Sequence, residues 1–203
     1  MKQEVMNVKK WLMVLALMTM ATAAIADTVA LQLVGTPYGV IGPYDMKVNG
    51  QVVTEMVCGS DVNFITMGES WTAQVYTINN VASNTVYAGI SQAAWNEAAL
   101  FADLLLQHPG NAAIQNDVWA SLGLGGGFDV AWLGVVNTFL AGHPGYLTLD
   151  QFFIPVDAKY DEGSGYPNGV PQPFIGAPEP SSLMLFGSGL FAAAGLVRRR
   201  ARI

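Results

Sequence analysis

The amino-acid sequence predicts an α+β domain in which strands arranged as a β-sandwich or a β-barrel carry a helical insert at about residues 91–141. Short runs of β-forming residues alternate with Gly, Pro and Asn turns up to residue 78. Apolar residues then recur at helical spacing, and short apolar pieces return after residue 146. Strands on both sides of a block of helices are typical of an α+β architecture. An apolar helix is predicted outside this domain at each end of the chain.

The first 26 residues have the composition of a secretory signal peptide. Lys9 and Lys10 precede a short apolar run, and Ala24 and Ala26 form a small-x-small cleavage site after it. The alternative is a permanent membrane helix, but the apolar run is shorter than the roughly 20 residues that a bilayer span requires. We therefore expect a signal peptide over 1–26, cleavage after Ala26, and an acidic extracytoplasmic domain over 27–156.

Three strand signals occupy the first part of this domain. Residues 28–34 are rich in β-forming side chains and end at a Gly-Thr-Pro turn. Asn49-Gly50 separates two strand-like runs within 44–58, and because both residues tolerate a positive φ, the dipeptide favours a two-residue type I′ hairpin. Cys58 then lies at the end of the second hairpin strand. Residues 71–78 are predicted to form another strand.

Three helices are predicted in the insert. The first is capped by Ser91 and stopped by Pro109-Gly110, the second runs from Asn111 to about Leu122, and the third begins at an Asp129 cap. The helical period predicts which side chains face the core. They are Trp95, Ala98, Ala99, Ala102, Leu105 and Leu106 in the first helix, Ile114, Val118 and Leu122 in the second, and Val130, Leu133, Val136, Phe139 and Leu140 in the third.

The chain after Tyr146 returns to strand and loop. Residues 147–149 and 152–154 are short apolar pieces, and residues 157–177 are rich in Gly, Pro and Asp. That composition is typical of a connection without regular structure, so we expect a linker over 157–177.

The charge of the chain is segregated. Residues 27–177 contain 13 carboxylates and two lysines, a net charge of −11, whereas seven of the nine basic residues lie in the end segments. Binding of nucleic acid requires a basic surface, so this composition excludes nucleic acid as a partner. An acidic, self-repelling surface suits an exported soluble domain.

The C-terminal segment over 178–203 joins three elements without a gap. Pro178-Glu179-Pro180 is followed by an uncharged apolar run over 183–197 and by a basic cluster of Arg198, Arg199, Arg200 and Arg202. As a helix the run would be about 22 Å long, which is short of a hydrocarbon core of roughly 30 Å. The apolar side chains assigned to this membrane segment are Leu183, Leu185, Phe186, Leu190, Phe191, Leu196 and Val197.

This order of elements resembles the PEP-CTERM sorting signal of Gram-negative bacteria. The resemblance implies an exported protein that is held transiently in the inner membrane, processed at Pro178-Glu179-Pro180 by an exosortase, and delivered to the cell surface or to an extracellular exopolysaccharide matrix. The basic cluster is expected to stay cytoplasmic by the positive-inside rule, which places residues 27–177 outside. The signal peptide adds the Sec translocon and signal peptidase to the expected partners.

Short motifs over residues 41–174 resemble a recurrent ectodomain type that precedes PEP-CTERM signals. The family pattern has Cys-Asp-Asp where this chain has Cys58-Gly59-Ser60-Asp61. The other matching motifs are Ile41-Gly42-Pro43-Tyr44, the segment from Gly68 to Ala73, Glu97-Ala98-Ala99, the segment from Ile114 to Trp119, and Pro171-Gln172-Pro173-Phe174. In the family pattern the last of these is a strand that leads into the sorting signal.

Cys58 and Gln115 also resemble the reactive pair of the thioester domains of Gram-positive surface adhesins. In those domains a Cys precedes a helix with a Gln-x-x-Ile/Val-Trp pattern, and the two side chains condense with release of ammonia. The resemblance implies a buried electrophile that acylates a surface amine or hydroxyl. Gln115 and Trp119 are four residues apart and so share a helix face. The adhesin pattern has Ala at the position of Asp117.

The alternative is that Cys58, the sole cysteine, is a small buried apolar residue and that Gln115 is a surface amide. A lone cysteine excludes an internal disulfide. The sequence therefore favours two functions. The first is a non-enzymatic surface or matrix protein, and the alternative is a covalent adhesin with an internal Cys58–Gln115 thioester.

No metal or cofactor site is predicted. His108 and His143 each precede Pro-Gly, and each is expected to end a helix, because two histidines alone do not make a zinc site. The glycine-rich run over 123–127 lacks the spacing of a phosphate-binding loop and is expected to be a loop. Three acids without EF-hand spacing are expected to be solvated rather than to bind Ca²⁺, namely Asp157, Asp161 and Glu162.

Catalysis is not expected either. Neither a Ser-His-Asp order nor a Gly-x-Ser-x-Gly motif is present, so the chain is predicted not to be an enzyme, and a secreted hydrolase is the less favoured alternative. Four tryptophans are expected to lie in the core rather than to form a sugar-binding platform. They are Trp71, Trp95, Trp119 and Trp132.

Overall fold

The structure is a computed structural model that describes residues 28–50, 52–63, 65–156 and 171–176, with the side chains of residues 52–54 excepted. These ranges contain six strands and three α-helices. The strands are β1 (Thr28–Gly35), β2 (Tyr44–Val48), β3 (Val52–Cys58), β4 (Ser70–Thr77), β5 (Gln151–Pro155) and β6 (Phe174–Gly176). The helices are α1 (Gln92–Gln107), α2 (Ala112–Leu122) and α3 (Val130–Gly142).

The six strands form a closed antiparallel barrel in the order β1-β2-β3-β6-β5-β4. The α+β prediction is confirmed, and of the two predicted arrangements the strands adopt the barrel. The three helices lie between β4 and β5 in the chain, as the helical insert was expected to do.

The hairpin of β2 and β3 follows from its turn residues. Asn49 and Gly50 both have a positive φ, at 52° and 74°, as a type I′ turn requires. The strands pair from Val48 with Val52 to Tyr44 with Met56. The predicted hairpin is confirmed, and it delivers Cys58 to the end of β3.

Strand β6 lies in the segment that the composition assigned to a linker. Its three residues pair with β3, where Phe174 is opposite Cys58, and with β5, where Phe174 is opposite Phe153. Because β6 closes the barrel, the domain extends beyond residue 156, and the linker prediction is wrong at its C-terminal end. A strand this short carries no alternation of its own, and only the ectodomain resemblance at Pro171-Gln172-Pro173-Phe174 indicated a strand here.

Both predicted helix caps, Ser91 and Asp129, are present, and Asn111, which was predicted only as the start of the second helix, is a cap as well. The Ser91 hydroxyl accepts from the Ala94 amide, and the Asn111 and Asp129 side chains accept from amides in the first turns of α2 and α3. These bonds satisfy amide groups that have no partner within the helix. Gly123 ends α2 in the left-handed conformation, with φ at 67°.

The barrel wall separates two apolar clusters. One fills the barrel interior, and the other lies between the helices and the outer face of the wall. Successive residues of β5 alternate between them, since Phe153 points inward while Phe152 and Ile154 pack against the helices. Trp95 stacks edge-on against Phe152, with ring centroids 5.3 Å apart. The inner cluster contains Cys58.

One predicted core position is wrong, and of the two short apolar pieces after Tyr146 only the second lies in a strand. Val130 is 84% exposed, because it directly follows the Asp129 cap at the outer end of α3 and the helix packs through Val136 instead. Residues 147–149 do not form a strand, and Leu149 is 82% exposed. The next strand begins only at Gln151.

Three predictions fall outside the described residues. They concern the signal peptide, the three acids Asp157, Asp161 and Glu162, and the C-terminal apolar segment. The signal helix and the membrane helix expected at the two ends therefore remain predictions. Within the described ranges, none of the helices has the length and hydropathy to span a bilayer.

Candidate functional site

Cys58 lies inside the barrel, at the point where β3 meets β6. Its side chain is 1% exposed. The residues that follow are tied down on both sides, because Gly59 N donates to Pro173 O at 2.8 Å and Asp61 N donates to Leu124 O at 3.0 Å. Gly59 has no room for a side chain, since a Cβ would lie 2.9 Å from the Leu122 side chain. The chain at Cys58 is therefore fixed against the end of α2.

The side chain of Gln115 lies against Cys58. Asn111 caps α2, and Gln115 follows one turn later with no exposed surface. Its Nε2 donates to the Cys58 carbonyl oxygen at 2.9 Å, and its Oε1 accepts from the Gly42 amide at 3.0 Å. The structure thus brings the two predicted site residues together. The alternative of a surface amide at Gln115 is wrong.

Trp119 completes the wall behind the two residues. It lies one turn after Gln115, and its Nε1 donates to the same Cys58 carbonyl at 3.1 Å. The predicted shared face of Gln115 and Trp119 therefore carries two donors to one oxygen. Trp71, Trp95 and Trp119 are buried as expected, and Trp132 is partly buried.

The thiol of Cys58 has a hydroxyl partner. Cys58 Sγ donates to Tyr44 Oη at 3.6 Å, and the Tyr44 hydroxyl donates to the Val40 carbonyl at 2.5 Å. Burial raises the pKa of the Cys58 thiol to about 11. Burial, and then the neighbouring Cys58, raise the pKa of Tyr44 above its ordinary value. Both groups are therefore neutral at pH 7.

No role was predicted for Gly42 and Tyr44 individually, although both belong to the Ile41-Gly42-Pro43-Tyr44 motif and both contact the site. The register of the β2–β3 hairpin would have located both residues near Cys58. This register pairs Tyr44 with Met56. Extending that register by two residues places Gly42 opposite Cys58, so the hairpin turn alone could have located this segment beside the thiol.

An open cavity of about 630 Å³ reaches Cys58 from the surface. Its wall is mainly apolar, and Asp61 contributes a carboxylate. A cavity of this size admits a side chain or a sugar to the vicinity of Cys58. The apolar side chains that line it are Leu33, Val40, Tyr44, Ile65, Met67 and Trp119.

The glycine-rich run after α2 wraps around Asp61. Gly126 N donates to Asp61 Oδ2 at 3.1 Å. A Cβ on Gly125 would lie 1.5 Å from Asp61 Oδ1, and one on Gly126 would lie 2.2 Å from Asn116 O. The run is a loop, as predicted, and its glycines permit close contact with the segment that follows Cys58.

Asp117 points away from this site. It has no exposed surface, its Oδ1 accepts from the Asp129 amide at 2.5 Å, and its Oδ2 has no hydrogen-bond partner. Burial raises the pKa of the Asp117 carboxyl, and the charges of Asp129 and Glu97 raise it further. The departure from the adhesin pattern at this position thus links α2 to the cap of α3.

The histidines end helices as expected. His108 follows α1 and packs against Trp132 at 5.1 Å, and His143 follows α3 and stacks on Phe139 at 4.4 Å. In the part of the chain that the structure describes, no three His, Cys, Asp or Glu side chains are grouped so as to hold a metal ion.

Residues 177–200 match the model of the PEP-CTERM protein-sorting motif. The chain carries a PEP-CTERM sorting signal. This confirms the resemblance found at 178–203, and the motif implies export, sorting to the cell surface in Gram-negative bacteria, and processing by an exosortase. No curated protein and no solved structure matches the chain.

Proposed function

We propose that the barrel domain is a covalent adhesin that attaches the PEP-CTERM protein to a surface partner through an internal thioester between Cys58 and Gln115. One observation carries the proposal. The only cysteine of the chain and a fully buried glutamine amide are in contact, with the amide bonded to the Cys58 carbonyl at 2.9 Å. A fully buried glutamine amide bonded to the main chain of a buried cysteine provides the two groups, in surroundings that exclude water, that the condensation requires.

Thioester formation requires only the two side chains and no further reagent. The sulfur of Cys58 bonds to Cδ of Gln115, the bond from Cδ to Nε2 breaks, and the thiol proton leaves with the nitrogen as ammonia. An acceptor amine or hydroxyl then attacks Cδ, its proton passes to the sulfur, and the acceptor remains joined to residue 115 by an amide or ester bond. Each thioester is consumed once, so the domain acts as a single-use reagent and not as an enzyme.

The same proposal includes the route to the surface. The Sec translocon exports the chain, and signal peptidase cleaves it after Ala26. The apolar segment then holds the protein in the inner membrane, and exosortase cleavage at Pro178-Glu179-Pro180 releases the domain to the cell surface or the exopolysaccharide matrix. The acidic charge between residues 27 and 177 supports an exported location. If this route is right, replacing the arginines at 198–200 and 202 with glutamine leaves the protein unsorted, and unchanged surface delivery contradicts it.

The thioester is tested by the intact mass of the exported protein. We expect a mass lower by one ammonia, and a cysteine that does not react with iodoacetamide in denaturant. Methylamine should add its mass and release the thiol. A full-mass protein whose Cys58 is labelled in denaturant would refute the proposal.

Two variants are the controls. Cys58→Ala and Gln115→Ala should both have full mass. Asn49-Gly50 can also lose ammonia, by forming a succinimide, and both variants retain this dipeptide. A mass deficit that persists in Cys58→Ala would therefore come from Asn49 and not from a thioester.

A further inference from the structure

We propose that the segment Val40–Tyr44 supplies the catalytic groups for forming and opening the thioester. The Gly42 amide stabilises the oxyanion on Gln115, and the Tyr44 hydroxyl takes part in the proton transfer from and to the sulfur of Cys58. The inference rests on the proposed thioester. It is carried by two contacts, from Gly42 N to Gln115 Oε1 at 3.0 Å and from Cys58 Sγ to Tyr44 Oη at 3.6 Å. Residues 42 and 44 thus touch one reacting side chain each.

The Gly42 amide is placed where negative charge develops. When sulfur attacks Cδ, the carbonyl electrons move to Oε1, which already accepts the Gly42 N–H. A donor that is aligned before the reaction stabilises the oxyanion without reorganisation. Gly110 N donates to Gly42 O at 3.0 Å and fixes this segment to the end of α1. The same amide would serve the second tetrahedral intermediate, when an acceptor attacks.

Only glycine allows this approach at position 42. A Cβ there would lie 2.8 Å from Gln115 Oε1 and 3.3 Å from Leu105 Cδ2. A side chain would therefore displace the carbonyl from its donor. The requirement for glycine is set by the reactive amide and by the helix behind it.

Tyr44 is required because the thiol is not ionised. Burial keeps the Cys58 pKa at about 11, so the proton must leave as the sulfur attacks. The S–H group already donates to Tyr44 Oη. In thioester formation that proton ends on the departing ammonia. In acyl transfer the sulfur leaves and takes a proton, and the phenol is the hydroxyl beside it.

Tyr44→Phe removes the hydroxyl and keeps the ring, which packs edge-on against Phe174 at 6.1 Å. We expect a smaller thioester fraction by intact mass, and a methylamine reaction of the remaining thioester that is slower by about tenfold or more. Tyr87→Phe is the matched control. Tyr87 is partly buried, and its hydroxyl also donates to a main-chain carbonyl, that of Pro171 at 2.9 Å, without being bonded to Cys58 or Gln115.

The outcomes separate this inference from the proposed function. A wild-type protein without the mass deficit refutes both the proposed thioester and the catalytic roles of Gly42 and Tyr44. A wild-type deficit, together with equal thioester fractions and methylamine rates in Tyr44→Phe and Tyr87→Phe, overturns the role of Tyr44 alone. If Tyr44→Phe does not fold, replacement of tyrosine by 3-fluorotyrosine keeps every hydroxyl while lowering its pKa. The methylamine rate must then change, and an unchanged rate overturns the role of Tyr44.

Gly42→Ala tests the oxyanion donor. We expect a folded protein of full mass, because the displaced carbonyl loses its donor. Gly127→Ala is the control, since a Cβ at Gly127 meets nothing within 4 Å. Thermal unfolding checks that both variants fold. A complete mass deficit in Gly42→Ala overturns this half of the inference, and so does a Gly42→Ala protein whose methylamine rate equals that of Gly127→Ala.

Discussion

Gln115 and Asp117 lie two residues apart on α2, both without exposed surface, and their polar atoms are paired very differently. Gln115 is neutral, and both of its polar atoms have partners, the Gly42 amide and the Cys58 carbonyl. Asp117 can carry a charge, and its Oδ2 has no partner. Burial raises the pKa of Asp117, and the nearby charges of Asp129 and Glu97 add to that effect.

This difference shows which of the two buried polar residues of α2 destabilises the folded protein. A neutral group with all its hydrogen bonds made is buried at little net cost, whereas a buried charge with an unpaired oxygen is destabilising. On the side of α2 that faces Cys58, the buried polar atoms of Gln115 therefore all have hydrogen-bond partners. The cost lies on the side that holds α3, where Asp117 accepts from the α3 cap.

The largest effect is expected when position 115 is made to resemble position 117. Gln115→Glu leaves one oxygen bonded to Gly42 N–H and sets the other against the Cys58 carbonyl oxygen. In a Cys58→Ala background, which cannot form a thioester, we expect a loss of about 3 kcal/mol in unfolding free energy at pH 8. The protonated acid can donate to the carbonyl, so much of that stability should return at pH 5.

Denaturant unfolding at the two pH values measures this change. Gln107→Glu, at an exposed position near the end of α1, is the control and should change stability by about 0.5 kcal/mol or less. Equal losses at pH 5 and pH 8 would show that shape, and not charge, sets the cost at position 115.

Asp150 tests whether one side-chain hydrogen bond offsets the free-energy cost of burying a carboxylate. It is buried and accepts from the Thr148 hydroxyl at 2.8 Å. Burial, and then Asp103, raise its pKa to about 7. Because the pKa of the folded state exceeds that of the unfolded chain, the folded state binds the proton more tightly, and stability falls as the pH rises from about 4 to about 7.

We expect Asp150→Asn to remove that slope and to raise the unfolding free energy at pH 8 by about 2 kcal/mol. Unfolding midpoints measured from pH 4 to pH 8 test this. A variant that keeps the wild-type slope would show that another group titrates in this range.

The smallest effect is expected from Asp117→Asn. The new side chain keeps an oxygen for the Asp129 amide and removes the buried charge. The raised pKa means that the cost of ionisation is present at high pH, so we expect a gain of about 1 kcal/mol at pH 8 that disappears at pH 4. Asp117→Ala should have the opposite sign, because it leaves the Asp129 amide unpaired. A loss of stability in Asp117→Asn would contradict the comparison.

Local rules account for the parts of the fold that the sequence predicted. Asn49-Gly50 determines a turn by itself, and Ser91, Asn111 and Asp129 each cap a helix through bonds within a few residues. Closure of the barrel by β6 depends on pairing with residues more than a hundred positions away, at Val57 and Cys58. No local pattern encodes that contact.

The site divides in the same way. Cys58 and Gln115 could be paired from a motif, because their chemistry resides in side chains. The Gly42 contribution comes from a main-chain amide, which every residue except proline carries, so no residue type marks it. Its position follows only from the hairpin register and from the absence of space for a Cβ.

Strand β6 also determines how a pulling force would act on this protein. It pairs with Cys58 through Phe174, and the sorting motif begins one residue after it ends. Tension applied along the C-terminal segment would reach the barrel at β6 first. With only three residues, β6 has few hydrogen bonds to resist being peeled away. Its separation would remove one wall beside Cys58. A pulling force on the C-terminal segment would therefore expose Cys58 to solvent and to other molecules.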